Sequence, residues 1–202
     1  MKKLAFLVLA AIAFAQAPTN RTLEREASDR RLISSADPVV SIEFAKGFKY
    51  AGGQRVTIYG VAEAEQYFFV DAAKDRTLSR WYLLQFEHYL PDNTRTYKYD
   101  LPEKVSLGPI EFTADLQIVP DLFTQRRDPA SDGFAAQRLL RSKGYSLNGT
   151  FAVARMFHLP SPDHRKELMI LYGERLSPGT SESDAKRAVL NHSQKNIAIL
   201  AK

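Results

Sequence analysis

The sequence predicts an α+β domain: a curved antiparallel sheet of about six to seven strands, backed by one or two helices with one of them C-terminal. Three observations lead there. From Val39 onward, apolar residues recur with period two along most of the chain. The strand patterns are separated by short turn signals, with none of the βαβ alternation that a doubly wound parallel sheet requires. Helical patterns are few and late, and the last begins at a capping sequence, Ser181-Glu182-Ser183-Asp184.

The chain opens with Lys2 and Lys3, an apolar run from Leu4 to Phe14, and then small residues. This is the pattern of a cleavable secretory signal. The run is shorter than the ~20 residues needed to span a bilayer. Cleavage after Ala15 is expected to leave Gln16 first, since a cut after Ala17 would place Pro18 against the scissile bond. The protein is therefore expected in the periplasm or outside the cell, without a membrane span. Residues 16–38 are rich in charge and poor in large apolar side chains, and read as a flexible tether ending at Pro38.

The single domain is expected over residues 39–202. Two strand patterns flank Gly52-Gly53. A three-residue loop, Gly52-Gly53-Gln54, would set Tyr50 opposite Val56, Phe48 opposite Ile58 and Phe44 opposite Ala62, apolar on apolar. The same register brings Glu43 opposite Glu63 with Glu65 near, where like charges would splay the strands or share a cation or proton. A second hairpin joins Glu65–Ala72 to Thr77–Leu90 around Ala73-Lys74-Asp75-Arg76, and a weaker strand follows over Gly108–Val119. Pro120 to Ala130 reads as a surface loop. A helix fits Phe134 to Lys143, with Asp132 as N-cap and Gly144 in the left-handed position after its end. Two more strands lie over Thr150–Leu159 and Lys166–Leu176, divided by Pro160 and Pro162, which cannot donate to a ladder. In the turn between them Asp163 is placed to cap local N–H groups. Leu168 to Tyr172 is apolar on both faces, as a central strand should be, with Arg165, Lys166 and Glu167 marking its solvated start. A helix from about Glu182 closes the chain.

The net charge of +5 falls to +3 once residues 1–15 are removed, and bases alternate with acids nearly everywhere. A nucleic-acid binder would concentrate its bases, so none is expected as partner. The chain has no cysteine, which removes disulfides, thiolate metal sites and thiol nucleophiles. His88, His158, His164 and His192 show no metal-ligand spacing, no phosphate-binding or nucleophile motif occurs, and neither a metal, a cofactor nor a catalytic residue is assigned.

Polar residues embedded in apolar strand faces are the better guide, because a buried charge must be satisfied. Arg80 and His88 interrupt the face Leu78, Tyr82, Leu84, Phe86, Leu90. Arg155 interrupts Phe151, Val153, Phe157, Leu159, and Glu174 interrupts Leu168, Ile170, Tyr172, Leu176. If these faces line one interior, Arg80, His88, Arg155 and Glu174 meet as a site with excess positive charge, suited to a small anionic or amphipathic ligand. Otherwise Arg155 and Glu174 form a structural ion pair and Arg80 reaches the rim. A hydrolase or isomerase using His88 or His164 with a carboxylate stands as an alternative. So does a structural or partner-binding envelope protein presenting Arg138, Arg141 and Lys143. Oligomeric state is not legible.

Overall fold

The computed structural model describes residues 22–122, 125–146, 148–177 and 179–201. The expected signal segment lies outside them. Period-two alternation yields strands β1 (Glu26–Ser28), β2 (Arg31–Ser34), β3 (Val40–Phe44), β4 (Lys49–Ile58), β5 (Ala62–Ala72), β6 (Leu78–Tyr89), β7 (Glu103–Leu107) and β8 (Ile110–Val119). Helix α1 (Asp132–Ser142), strands β9 (Phe151–His158) and β10 (Lys166–Arg175), helix α2 (Glu182–Lys195) and strand β11 (Ile197–Ala201) complete the chain. The class is α+β and antiparallel, as expected, but the strands divide between two open sheets. One is four-stranded, in the order β1-β2-β3-β11, and the other seven-stranded, in the order β4-β5-β6-β10-β9-β8-β7.

The strand that is apolar on both faces, β10, is the middle member of the large sheet. Its even-numbered residues Leu168, Ile170 and Tyr172 join Tyr82, Leu84 and Phe86 of β6 in the main core. Sheet β1-β2-β3-β11 and α2 cover that core through Leu32, Ile42, Phe44, Val189 and Ile199. Phe44 stacks on Phe69 at 4.0 Å between ring centres, and Tyr82 donates from Oη to the Ser193 carbonyl at 2.7 Å. The opposite face of the same sheet carries Phe68, Trp81, Leu83 and Val153, which pack under Leu140 of α1. A buried Leu or Phe contributes about 1.5–3 kcal/mol, so neither face could be left in water.

Several expectations need correction. The tether is ordered structure over its described part: β1 and β2 pair with each other, and Leu32 is wholly buried. One alternating pair, Leu32 and Ser34 pointing inward, suffices once a second sheet is there to receive it. Gly52-Gly53 is not a turn. It lies inside β4 at a bulge, where a side chain on Gly53 would come within 2.7 Å of Tyr50 Oη and 2.9 Å of Leu23 Cδ1. The glycines serve close approach rather than reversal. The reversal falls instead at residues 59–61, so Glu43 pairs with Arg31 and Ala198 while Glu63 pairs with Thr57 and His88. The Glu43–Glu63 juxtaposition does not occur.

Helix α1 takes Ser131 as its N-cap, the hydroxyl accepting from the Phe134 N–H at 3.2 Å, one residue before the expected Asp132. Gly144 does stand beyond its end at φ +75°. Ser181 caps α2. Strand β11 follows α2, so the helix does not close the chain, and β7 is a strand where none was expected.

The β7–β8 turn at Gly108-Pro109 touches the last strand. Gly108 has φ +59°, and a Cβ there would fall 2.0 Å from the Ile199 carbonyl oxygen. Gly108→Ala is expected to lower stability by about 2 kcal/mol or more, read as a drop in the urea midpoint at unchanged slope.

Candidate functional site

The face of the large sheet beneath α1 changes character along its strands. At one end it is apolar. At the other, side chains of the same parity read Gln54, Gln66, Gln85, Glu87, Glu167, Arg155 and Asp115 across β4, β5, β6, β10, β9 and β8.

The polar end is tied together across the strands. Gln54 donates to Gln66, Gln66 to Gln85 and Gln85 to Glu87, each at 2.7 Å. Gln66 also donates to the Asp132 carbonyl at 3.2 Å, and Gln85 to the Asp132 carboxylate at 3.3 Å, which fixes the start of α1 over the sheet. Glu87 and Glu167 are direct cross-strand partners. The segment between β6 and β7 lies over them: Tyr97 donates from Oη to Glu87 at 2.7 Å, and Tyr99 donates to Glu167. That segment is held in turn by Arg165, whose guanidinium caps the Leu90 carbonyl at 2.9 Å, and by a bond from the Tyr97 N–H to the His164 carbonyl.

Glu167 is only 4% exposed, which corrects its reading as a solvated residue. Burial, reinforced by the charges of Glu87 and Asp132, pushes its carboxyl up to about 8 despite the Tyr99 hydrogen bond. Burial also raises Glu87, against hydrogen bonds from Tyr97 and Gln85. Two neighbouring carboxyls are thus disfavoured as charged groups, and at neutral pH Glu167 holds its proton.

Between α1 and the sheet runs a groove of about 440 Å³. Phe68, Trp81, Leu83, Leu140, Val153 and Leu171 form its apolar wall, and Arg127, Arg155 and Gln117 its polar one. A second cavity of about 330 Å³ lies beside it over the carboxyl pair and shares Asp132, Arg155 and Met169 with it. Trp81 is 4% exposed, and a Cβ on its cross-strand neighbour Gly173 would lie 2.4 Å from Nε1, so the indole rests directly on the glycine. Trp81 Nε1 and Arg127 Nε are buried without a hydrogen-bond partner among the described residues. Such donors are uncommon, since buried polar groups are nearly always paired.

The four residues expected to meet do not. Arg80, His88 and Glu174 are on the face toward the small sheet and α2, whereas Arg155 is on the α1 face. Arg80 donates from Nε to Asp71 at 3.0 Å, and Glu174 accepts from Tyr172 at 3.0 Å with His192 Nδ1 2.8 Å away. Arg155 binds Asp115 through Nε at 2.7 Å and again through Nη2, so it pairs with neither Glu174 nor a free anion. The expected excess of positive charge is absent. His88 is exposed between Glu63 and Lys166. His164 sits in the turn after Asp163, whose carboxylate accepts from the Arg165 N–H at 3.0 Å as expected. His192 faces a carboxylate, that of Glu174, and lines neither the groove nor the cavity beside the groove. No group of three or more His, Asp or Glu among the described residues could hold a metal ion, and no helix among them is long and apolar enough to cross a membrane.

The carboxyl pair was missed because it has the opposite parity from Arg80, His88 and Glu174, the embedded polar residues of β6 and β10. The available signal was the run of glutamines, Gln54, Gln66 and Gln85, in the middle of otherwise apolar strands.

Glu167 binds its proton more tightly folded than unfolded, so its contribution to stability is full below the unfolded carboxyl range and is lost as pH rises through about 8. Melting temperature should fall between pH 5 and pH 8, by up to about 1.4 kcal/mol per unit in stability, and Glu167→Gln should flatten that decline. Compared with known protein families, with curated proteins and with solved structures, the chain matches none, so its function is argued from this geometry.

Proposed function

We propose that the protein is a non-enzymatic binder of a small amphipathic ligand, held in the groove between α1 and the seven-stranded sheet. One observation carries the reading: an apolar groove of about 440 Å³ whose wall contains two buried donors, Trp81 Nε1 and Arg127 Nε, without partners. A groove of this size and lining is what small-molecule sites have in common, a mainly apolar wall with a few placed polar groups. The ligand's apolar body lies against Phe68, Leu83, Leu140 and Leu171, with Trp81 Nε1 a donor for ligands that also carry an acceptor atom. Arg155, neutralised by Asp115, contributes its planar group to the wall and no net charge. Catalysis finds no support, since no nucleophile with an adjacent base lines the groove.

Trp81 is the sole tryptophan of the chain, so its emission reports on the groove alone. Titration with eight-carbon amphipaths should shift that emission saturably. Ala136→Phe, which extends a ring from α1 into the groove, should weaken the response at least tenfold while the melting temperature stays within a few degrees. An emission change of equal affinity in Ala136→Phe would overturn the reading, as would no change with any amphipath.

A further inference from the structure

Resting on that reading, we propose that the cavity over Glu87 and Glu167 is the head-group end of the groove, and that it takes an ammonium group, quaternary or otherwise bulky. The two spaces adjoin, with Asp132, Arg155 and Met169 in the wall of both, so a ligand whose body meets Trp81 is placed to reach its other end over the carboxyl pair. The wall there combines carboxyl groups with aromatic rings: Glu87, Glu167 and Asp132 beside Tyr97, Tyr99 and Phe157. Ring faces and carboxylates together are the chemistry that recognises ammonium cations.

The charge balance points the same way. The lining holds one cation, Arg155, which is paired with Asp115 through both Nε and Nη2. Lys166, next in sequence to Glu167, projects to the other face and bonds Asp37 at 2.6 Å. Arg165 is spent on backbone carbonyls. The carboxyl pair therefore has two tyrosine hydroxyls and Gln85 as donors but no bond from a cation among the described residues, and a proton on Glu167 serves as its counter-ion. An ammonium head would replace that proton, which leaves to solvent. An anionic head would face three acids instead, with like charges close in a low-dielectric site.

The test uses Trp81 emission with three ligands of equal chain length: octyltrimethylammonium, octanoate and octyl glucoside. Octyltrimethylammonium is expected to bind at least tenfold more tightly than the other two. Its fixed charge makes the pH dependence unambiguous: affinity should rise from pH 6 to pH 8, by at most tenfold per unit, and level off above. The double variant Glu87→Gln, Glu167→Gln should lose the preference while keeping its affinity for octyl glucoside, which also shows that the groove is still folded. Glu87→Gln alone serves if the double variant does not fold. Tighter binding of octanoate or octyl glucoside, or a preference surviving in the Gln variants, would overturn the ammonium head and leave the groove intact. No response to any of the three would overturn the groove reading itself.

Discussion

The architecture follows from one constraint: the central strands β6 and β10 are apolar on both faces, so the large sheet must be covered twice. Water cannot be left against Tyr82, Leu84, Ile170 and Tyr172 on one side or Trp81, Leu83 and Leu171 on the other. The chain meets the first demand with a second sheet and α2, and the second with a single helix, α1. An 11-residue helix is too small to roof a sheet of seven strands. What α1 leaves uncovered at its start is closed by the segment carrying Tyr97 and Tyr99, and the seam between helix and segment is the groove. The cavity is thus a consequence of asymmetric cover.

The covering sheet is held at its far end by a charged clamp. Glu65, itself buried, accepts from the Glu24 N–H at 2.8 Å, Tyr67 Oη at 2.7 Å, Arg25 at 2.9 Å and Arg55 at 2.7 Å. Burial alone would raise its carboxyl, but these four donors outweigh it and hold the group below the usual carboxylate range. Arg25 also lies 3.7 Å above the centre of the Phe86 ring. Glu65 and Glu167 make an instructive pair, equally hidden from water and opposite in charge state. The difference is whether cations bond to them: Arg25 and Arg55 converge on the first, and none among the described residues bonds the second.

Much of this was legible along the chain. The hairpin through Asp75, the cap at Ser181, Gly144 after α1, the turn at Asp163 and the central place of Leu168–Tyr172 are local matters, decided by propensity, turn chemistry and period, and the structure keeps them. What escaped is non-local. Leu32 and Ser34 acquire meaning only when a second sheet lies above them, and nothing in residues 22–38 announces that sheet. Gly52-Gly53 carried the composition of a turn, but the crowding by Tyr50 and Leu23 that requires glycine is set by tertiary approach. The site failed for a related reason: Arg80, His88 and Glu174 were assigned correctly to one parity on β6 and β10, but period-two patterning cannot say which parity of β9 shares their side of the sheet. Arg155 turned out to share the other side with Glu87 and Glu167.

The pairing of β3 with β11 joins Val40 to Ala201 and Phe44 to Ile197. One edge of β3 therefore stays bare until almost the whole of the described chain has been synthesised, and so does the receiving surface for the Gly108 turn. Loop closure over such a separation is entropically slow and is rewarded only when the last strand docks. The large sheet is built mostly from neighbouring hairpins, and its one long closure, the β6–β10 seam, spans a shorter stretch of chain than β3–β11 does. Order of assembly is thus written into the connectivity: a hairpin-built platform first, and the lid that seals its inner face only as the final segment arrives.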